Sequence, residues 1–204
     1  MAAKRAAQAA ETRDALIAAA RELFGRQGYP ATSTEEIVDR AGVTKGALYH
    51  HFSDKEGLFR AVFEQVQREV SDAAVAKFNQ RDSWAALIDG CRLWVEAHDD
   101  PAVRQIVLID ARGVLGWETA REIETRFSTV ALRGALRKAM NAGVITRQPL
   151  RPLAVMLTGA LSEACLYVAA AADPAQARTE VAALVRALLA GIRAEPAAHE
   201  QRGA

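Results

Sequence analysis

The run from Ser33 to Lys55, Ser-Thr-Glu-Glu-Ile-Val-Asp-Arg-Ala-Gly-Val-Thr-Lys-Gly-Ala-Leu-Tyr-His-His-Phe-Ser-Asp-Lys, restricts what this chain can fold into more than any other stretch. Ser33 and Glu36 have the spacing of a capping box, in which the hydroxyl serves orphan amides and the carboxylate reaches back to the cap. A short helix can follow through Ile37 and Val38 to Arg40. Gly42 lets the backbone turn without a Cβ penalty, and Thr44 can cap a second short helix ending near Phe52. Ser53-Asp54-Lys55-Glu56 then reads as another capping box. Two short helices joined by a tight glycine-containing turn make a helix-turn-helix.

The second helix carries what a DNA reader needs. Thr44, Lys45, Gly46 and Ala47 occupy its N-terminal end, the end such helices place in the major groove. Gly46 and Ala47 are small enough for the backbone to approach base edges. Lys45 can reach a guanine edge or a phosphate, and Tyr49 and His50 can donate to phosphate oxygens. Lys55, with the free amides opening the next helix, makes a further phosphate site. No acidic residue falls between Arg40 and Phe52. Leu48 and Phe52, four residues apart, form the face buried against the domain. The competing reading is a short surface helix with a chance acid-free run; the coincidence of caps, turn glycine and acid-free face argues against it.

Thr44-Lys45-Gly46-Ala47-Leu48-Tyr49-His50-His51-Phe52, followed by Ser53-Asp54-Lys55-Glu56-Gly57-Leu58, resembles the signature of the TetR family of bacterial transcriptional regulators. Ala18-Ala19-Ala20-Arg21-Glu22-Leu23-Phe24, Gly28-Tyr29 and Thr32-Ser33 resemble that family's first helix and its entry into the second. The likeness covers about the first third of the chain; the remainder is similar only in length and helical pattern. The resemblance implies a DNA-binding set of Thr32, Ser33, Thr44, Lys45, Gly46, Ala47, Tyr49, His50 and Lys55.

Across 204 residues half are apolar but only 6% aromatic, and alanine and leucine abound, which favours helix over sheet. Net charge is +1, so nucleic-acid affinity must come from a local patch, which argues against a histone-like coating protein. Cys91 and Cys165 lie far apart in apolar surroundings and read as buried free thiols. Neither a signal-peptide core nor an apolar run long enough to span a bilayer is read here, so the expected location is cytoplasmic.

Along the chain, residues 1–10 are expected to form a disordered arm carrying Lys4 and Arg5. From Glu11 to Arg26, Leu16, Ile17, Ala20, Leu23 and Phe24 recur at helical spacing. Phe59, Val62, Val66 and Val70 continue one linking helix over 55–78, the mechanical connection between the two halves. Asn79 to Asp82 reads as a loop, with Ser83 capping the next helix. The six prolines all fall where periodicity breaks, leaving helices near 83–98, 101–114, 117–141, 152–172 and 175–193. The expected fold is all-α with about nine helices: a three-helix DNA-binding domain over 11–57, a larger helical ligand-binding and dimerisation domain over 58–193, and a disordered tail over 194–204.

On the last helix Val181, Leu184, Val185, Leu188, Leu189 and Ile192 form a stripe of buried-face width. The helix before it is apolar on most of its circumference, with Gly159, Ala160, Ala164 and Ala169 permitting close approach. Helices 152–172 and 175–193 are therefore the expected homodimer interface, the alternative being burial within their own bundle. His98, Asp110 and Glu163 interrupt apolar faces, Tyr167 lies one turn beyond Glu163, and Trp94, Trp117 and Phe127 are nearby aromatics. These seven are candidate ligand-binding residues, because a buried carboxylate or imidazole needs a partner. Arg104, Arg112 or Arg121 would serve equally as structural partners, and the aromatics equally as core.

The resemblance implies a homodimeric regulator bound to a palindromic double-stranded DNA operator. The expected mode is a repressor released by a small, largely apolar or aromatic ligand. An enzyme is the alternative, with His98 and Asp110 as a base and its orienter. No nucleophile stands beside them, and no HExxH, GxSxG or phosphate-cradling loop occurs. No catalytic residue, cofactor or metal is assigned.

Overall fold

A computed structural model of the chain describes residues 2–78 and 83–194. Among these the fold is all-α, and the β pairing is one isolated antiparallel bridge between Ile145 and Arg193. The helices are α1 (Ala2–Gln27), α2 (Thr34–Ala41), α3 (Lys45–His51), α4 (Lys55–Phe78), α5 (Ser83–Ala97), α6 (101–115), α7 (117–141), α8 (Leu150–Ala170) and α9 (Pro174–Ala190). Between α6 and α7 the backbone turns at Gly116, whose φ of 74° ends the first helix and aims the second elsewhere. Asp100 caps α6 through the Ala102 amide and Asp173 caps α9, each followed by proline at a position that needs no amide donor.

Several boundaries differ from expectation. α1 begins at Ala2 rather than Glu11, so residues expected as a disordered arm are helical; the alanine-rich start has the propensity to extend the helix past its core contacts. α8 begins before Pro152, because the first helical turn tolerates proline, and stops at Ala170. The loop expected at 79–82 and the tail at 195–204 lie outside the described residues.

Two large hydrophobic clusters organise the described residues, and a third, small one of Val168, Ala177 and Val181 joins α8 to α9. The first joins Leu16, Ala20 and Phe24 of α1 with Ile37, Leu48, Phe59, Val62 and Phe63, and continues into Val103, Ile106 and Ala111 of α6. This core does not stop at residue 57, where the first domain was expected to end. α1 and α6 touch so closely at Gly25 that a Cβ there would fall 2.4 Å from that of Ala102. The second cluster gathers Leu87, Cys91 and Val95 of α5 with Leu132, Leu136, Ala154, Leu161, Cys165 and Leu189.

By length and composition α8 could cross a membrane, contrary to the reading that no such run exists; only 22% of its apolar stretch is buried within the protomer. Its sole charges are Arg151 and Glu163, and leucines, alanines and valines make up most of the rest.

Candidate functional site

The helix-turn-helix forms as its caps dictate. Ser33 Oγ accepts from the Glu36 amide at 3.2 Å while the Glu36 carboxylate accepts from the Ser33 amide at 2.8 Å. Gly42 takes the left-handed conformation, φ 67°, which closes α2 and admits the turn. Thr44 Oγ1 then accepts from the Ala47 amide at 3.2 Å and opens α3. Leu48 and Phe52 are buried beneath it, as their spacing predicts. Thr44, Lys45, Gly46, Tyr49 and His50 are exposed on its outer side and Ala47 is half-buried, so six sequence-predicted residues share one short helix and its cap.

Three details depart from expectation. Thr32 is buried, its hydroxyl donating to the Gly28 carbonyl at 2.8 Å, so that hydroxyl faces the core rather than a phosphate. Lys55 turns inward: Nζ donates to the carbonyls of Tyr29 (3.0 Å) and Thr32 (2.8 Å) and lies 4.0 Å from the centre of the Tyr29 ring. Partial burial lowers its pKa from the ordinary lysine value. The capping box expected at Ser53–Glu56 is absent; Asp54 caps α4 one residue later by accepting from the Gly57 amide at 2.7 Å, and glycine has no side chain to reciprocate. That carboxylate therefore occupies an amide expected to face a phosphate.

An acidic neighbour not foreseen by the acid-free run is Glu35 on α2, which pairs with Lys45. The hydrogen bond from Lys45 holds the Glu35 carboxyl at about 2, well below the usual range, and raises the Lys45 pKa in return.

The seven candidate ligand residues do not converge. Trp94 and His98 stack with ring centres 4.0 Å apart, and His98 Nδ1 meets the Trp94 carbonyl at 2.8 Å. That contact requires a proton on Nδ1, which leaves the buried Nε2 as an acceptor without a partner. Burial lowers the His98 pKa from 6.5. Asp110 is at the seam between the halves, where its carboxylate accepts from the Tyr29 amide (2.8 Å) and Gln105 Nε2 (3.1 Å). Trp117 is 58% exposed between Arg112 and Arg121, and Phe127 is half-buried under Arg68. Glu163 and Tyr167 face outward on α8, because the helix turns its cysteine and Leu161, not these two, toward the bundle. Arg104 bonds the His98 carbonyl rather than Asp110.

Neutral polar residues missed in the sequence line the bundle interior. Ser71, Ser128 and Thr158 border a void of about 20 Å³ with Gly90, Trp94 and Leu161, room for about one water. Ser128 Oγ donates to Gln67 at 2.6 Å across α4 and α7. Here α7 is π-helical over Thr125–Thr129, an irregularity that concentrates at functional sites. The available signal was Gln67 and Ser71, one helical turn apart on the face that also carries Phe63, Val70 and Ala74. A larger hollow of about 450 Å³ opens between α5 and α9.

The family model "Bacterial regulatory proteins, tetR family" matches residues 16–62, and "Tetracyclin repressor-like, C-terminal domain" matches 84–192, more than half the chain. This chain belongs to the TetR family. Its relatives include the transposon Tn10 TetC protein of Escherichia coli, 24% identical over 89% of this chain and 92% of that protein. Other curated regulators of the family are matched over 25% to 66% of their own length. The crystal structure of a TetR-family transcriptional regulator from Pectobacterium atrosepticum superposes with a TM-score of 0.79 at 32% identity, covering 93% of this chain and 98% of that one. RolR in complex with the ligand resorcinol shares the fold, with a TM-score of 0.68 at 22% identity over 90% and 89% of the two chains. The TetR-family chain is thus a transcriptional regulator with a DNA-binding helix-turn-helix, and not an enzyme. His98 and Asp110, the pair an enzyme would have used, are each committed to a different backbone partner.

Proposed function

We propose that this TetR-family regulator acts as a homodimeric repressor that leaves a palindromic operator when a small, largely apolar or aromatic ligand enters the bundle. The observation that carries the reading is the division of α3, with Leu48 buried and Thr44, Lys45, Gly46, Tyr49 and His50 exposed on a helix that itself carries no acidic residue. Lys45 and the small Gly46 and Ala47 meet base edges, Tyr49, His50 and the Ser33 end of α2 meet phosphates, and Lys55 offers its third N–H from the rim. Thr32 acts only by shaping the entry to α2.

Dimerisation is supported by what one protomer leaves uncovered. Met156 (71% exposed) and Tyr167 on α8, with Leu184 and Leu188 on α9, form an apolar face that a second copy would bury. Two copies present two recognition helices to successive major-groove half-sites. The effector site is the interior beside Trp94, Ser71 and Ser128, where a ligand must part the helices to enlarge the small void. Moving α4 at Gln67 and Ser71 would carry motion to its start at Lys55, and resorcinol in RolR is an instance of such a ligand class. The ligand weakens DNA binding only by as much as it prefers the non-binding arrangement. Whether DNA binding lowers or raises expression depends on where the operator lies. Such a regulator works in the cytoplasm, beside its DNA.

The test is fluorescence-anisotropy binding to DNA from upstream of the gene, with scrambled competitor and a salt series. Specific binding by two protomers per palindrome, reversed by an aromatic ligand, is the expected result. Absence of DNA binding even at low salt would remove the proposal.

A further inference from the structure

We infer that the groove between α5 and α9 is a binding site for a small amphipathic monoanion, whose apolar chain lies along the groove floor and whose carboxylate meets Arg178 and Arg186. The groove holds about 450 Å³, within the range of small-molecule sites and too little for a docked helix. Its floor is Ile88, Cys91, Val95, Val181 and Val185. The one polar group there is the Cys91 thiol, whose pKa burial pushes up to about 12, so the floor presents no charge. Such a floor favours a hydrocarbon chain and penalises a polar one.

The rim supplies the opposite chemistry. Of its three arginines, Arg92 is satisfied by Glu96 on the same helix. Arg178 Nε lies 3.0 Å from an Asp99 carboxylate oxygen, but outside hydrogen-bond alignment, and so its buried N–H lacks an acceptor. The Asp99 charge still balances that of Arg178, so Arg178 offers the ligand an N–H and Arg186 offers it the positive charge. Arg186, two turns further along α9, has neither an ion pair nor a hydrogen bond among the described residues. A buried donor without an acceptor and a guanidinium without a counter-charge, set above an apolar floor, call for one anionic acceptor on an apolar body. Planar guanidinium groups suit a carboxylate in particular.

A second copy of the chain does not compete for this space. Arg178, Ala182 and Arg186, which form the α9 rim, project from a different side of the helix than the exposed Leu184 and Leu188 by the 3.6-residue repeat, with the floor residues Val181 and Val185 between the two sets, so a second copy seated on the leucines leaves the arginine rim open. The inference is also independent of ligand-relieved repression, because it concerns binding alone.

The experiment is isothermal titration of the full chain with decanoate, 1-decanol and decylammonium, each below its aggregation threshold. Decanoate should bind about tenfold tighter than the alcohol, and the ammonium more weakly than either. Arg186→Gln should bring decanoate down toward the alcohol and leave the alcohol unchanged. Ala182→Trp, at an exposed position on the groove side, should fill the hollow and abolish binding of both, with the thermal melt unaltered. Equal affinity for decanoate and decanol, no binding of decanoate, or full binding to a folded Ala182→Trp variant would each overturn the assignment. Arg186→Gln decides the question on its own should the tryptophan variant fail to fold. No DNA enters the measurement, so loss of the repressor reading would leave its outcome untouched.

Discussion

The helix-turn-helix and the C-terminal bundle are built from the same element, yet their side chains are placed by different distances along the chain. In the first, Ser33 meets Glu36 and Thr44 meets Ala47 within a few residues of where each begins. In the second, the orientation of a helix is settled by partners far away: Ser128 by Gln67 on α4 and Asp110 by Tyr29 in the DNA-binding half. Roles set by neighbours in sequence can be assigned from sequence. Roles set by which way a helix rolls against four others cannot. The two regions also meet in one continuous core, so the comparison is between modes of specification and not between independent bodies.

That continuity is open to attack at its centre. Phe59 is fully buried, with ring centres 5.3 Å from Phe24 and 5.2 Å from Tyr29. Phe59→Ala should cost about 3–5 kcal/mol, by lost transfer energy and a cavity. Urea unfolding should remain a single transition by both far-ultraviolet circular dichroism and tryptophan fluorescence, since the three tryptophans all lie in the bundle. Two separated transitions would show that the halves unfold independently and would break the shared-core picture.

Asp110 is a finer probe of the same joint. Asp110→Ala leaves the Tyr29 amide without its acceptor and should cost about 1–3 kcal/mol, whereas Asp110→Asn keeps a carbonyl oxygen and should cost less. Equal losses for both variants, read from urea midpoints, would mean that charge and not the hydrogen bond matters there.

A pH series isolates the bundle. Burial lowers the His98 pKa below 6.5, assisted by the Arg104 charge and opposed by its bond to the Trp94 carbonyl and by Asp99. The folded state therefore binds a proton less readily than the unfolded chain. Stability from this residue is complete above pH 6.5 and falls as pH drops from there toward the folded pKa, by at most about 1.4 kcal/mol per pH unit. His98→Asn should flatten the stability profile across that window. An unchanged slope would place the acid sensitivity elsewhere.

The fold was legible in the sequence because prolines, caps and apolar spacing are local signals. The break at Gly116 and the span of α7 emerged where the periodicity indicated, and α9 began at the proline that Asp173 caps. The DNA-facing surface was legible for the same reason, except where a side chain had two possible destinations. Lys55 and Thr32 carry groups that suit phosphate or a backbone carbonyl equally, and only the packed loop at Tyr29 shows that carbonyls claim them. The ligand candidates were the least legible. A polar residue in an apolar run signals either a pocket or an outward face, and Glu163 and Tyr167 took the outward one. Ser71 and Ser128 carried no charge to draw notice, yet they line the interior.

The smallest effect tests whether the DNA-facing surface is as locally determined as its caps suggest. Glu35 holds Lys45 across the turn between α2 and α3, both side chains more than half exposed. With its carboxyl held at about 2, Glu35 stays ionised at any pH where the protein would meet DNA, so the pair does not release Lys45 by titration. A phosphate or guanine edge must therefore compete with Glu35 for the same ammonium. Glu35→Gln removes the competitor and one negative charge from the approach to DNA, and should tighten operator binding roughly two- to fivefold, the modest scale of an exposed ion pair. The salt slope of binding should be nearly unchanged, because the count of phosphates neutralised stays the same if Lys45 already reaches DNA in the complex. A steeper slope would mean that Lys45 contacts phosphate only once Glu35 is gone. Weaker binding would mean that Glu35 positions Lys45 for a base edge, making an α2 carboxylate part of the reading surface. The Lys45→Ala variant separates those outcomes: loss confined to the specific operator marks a base contact, and equal loss on scrambled DNA marks a phosphate contact.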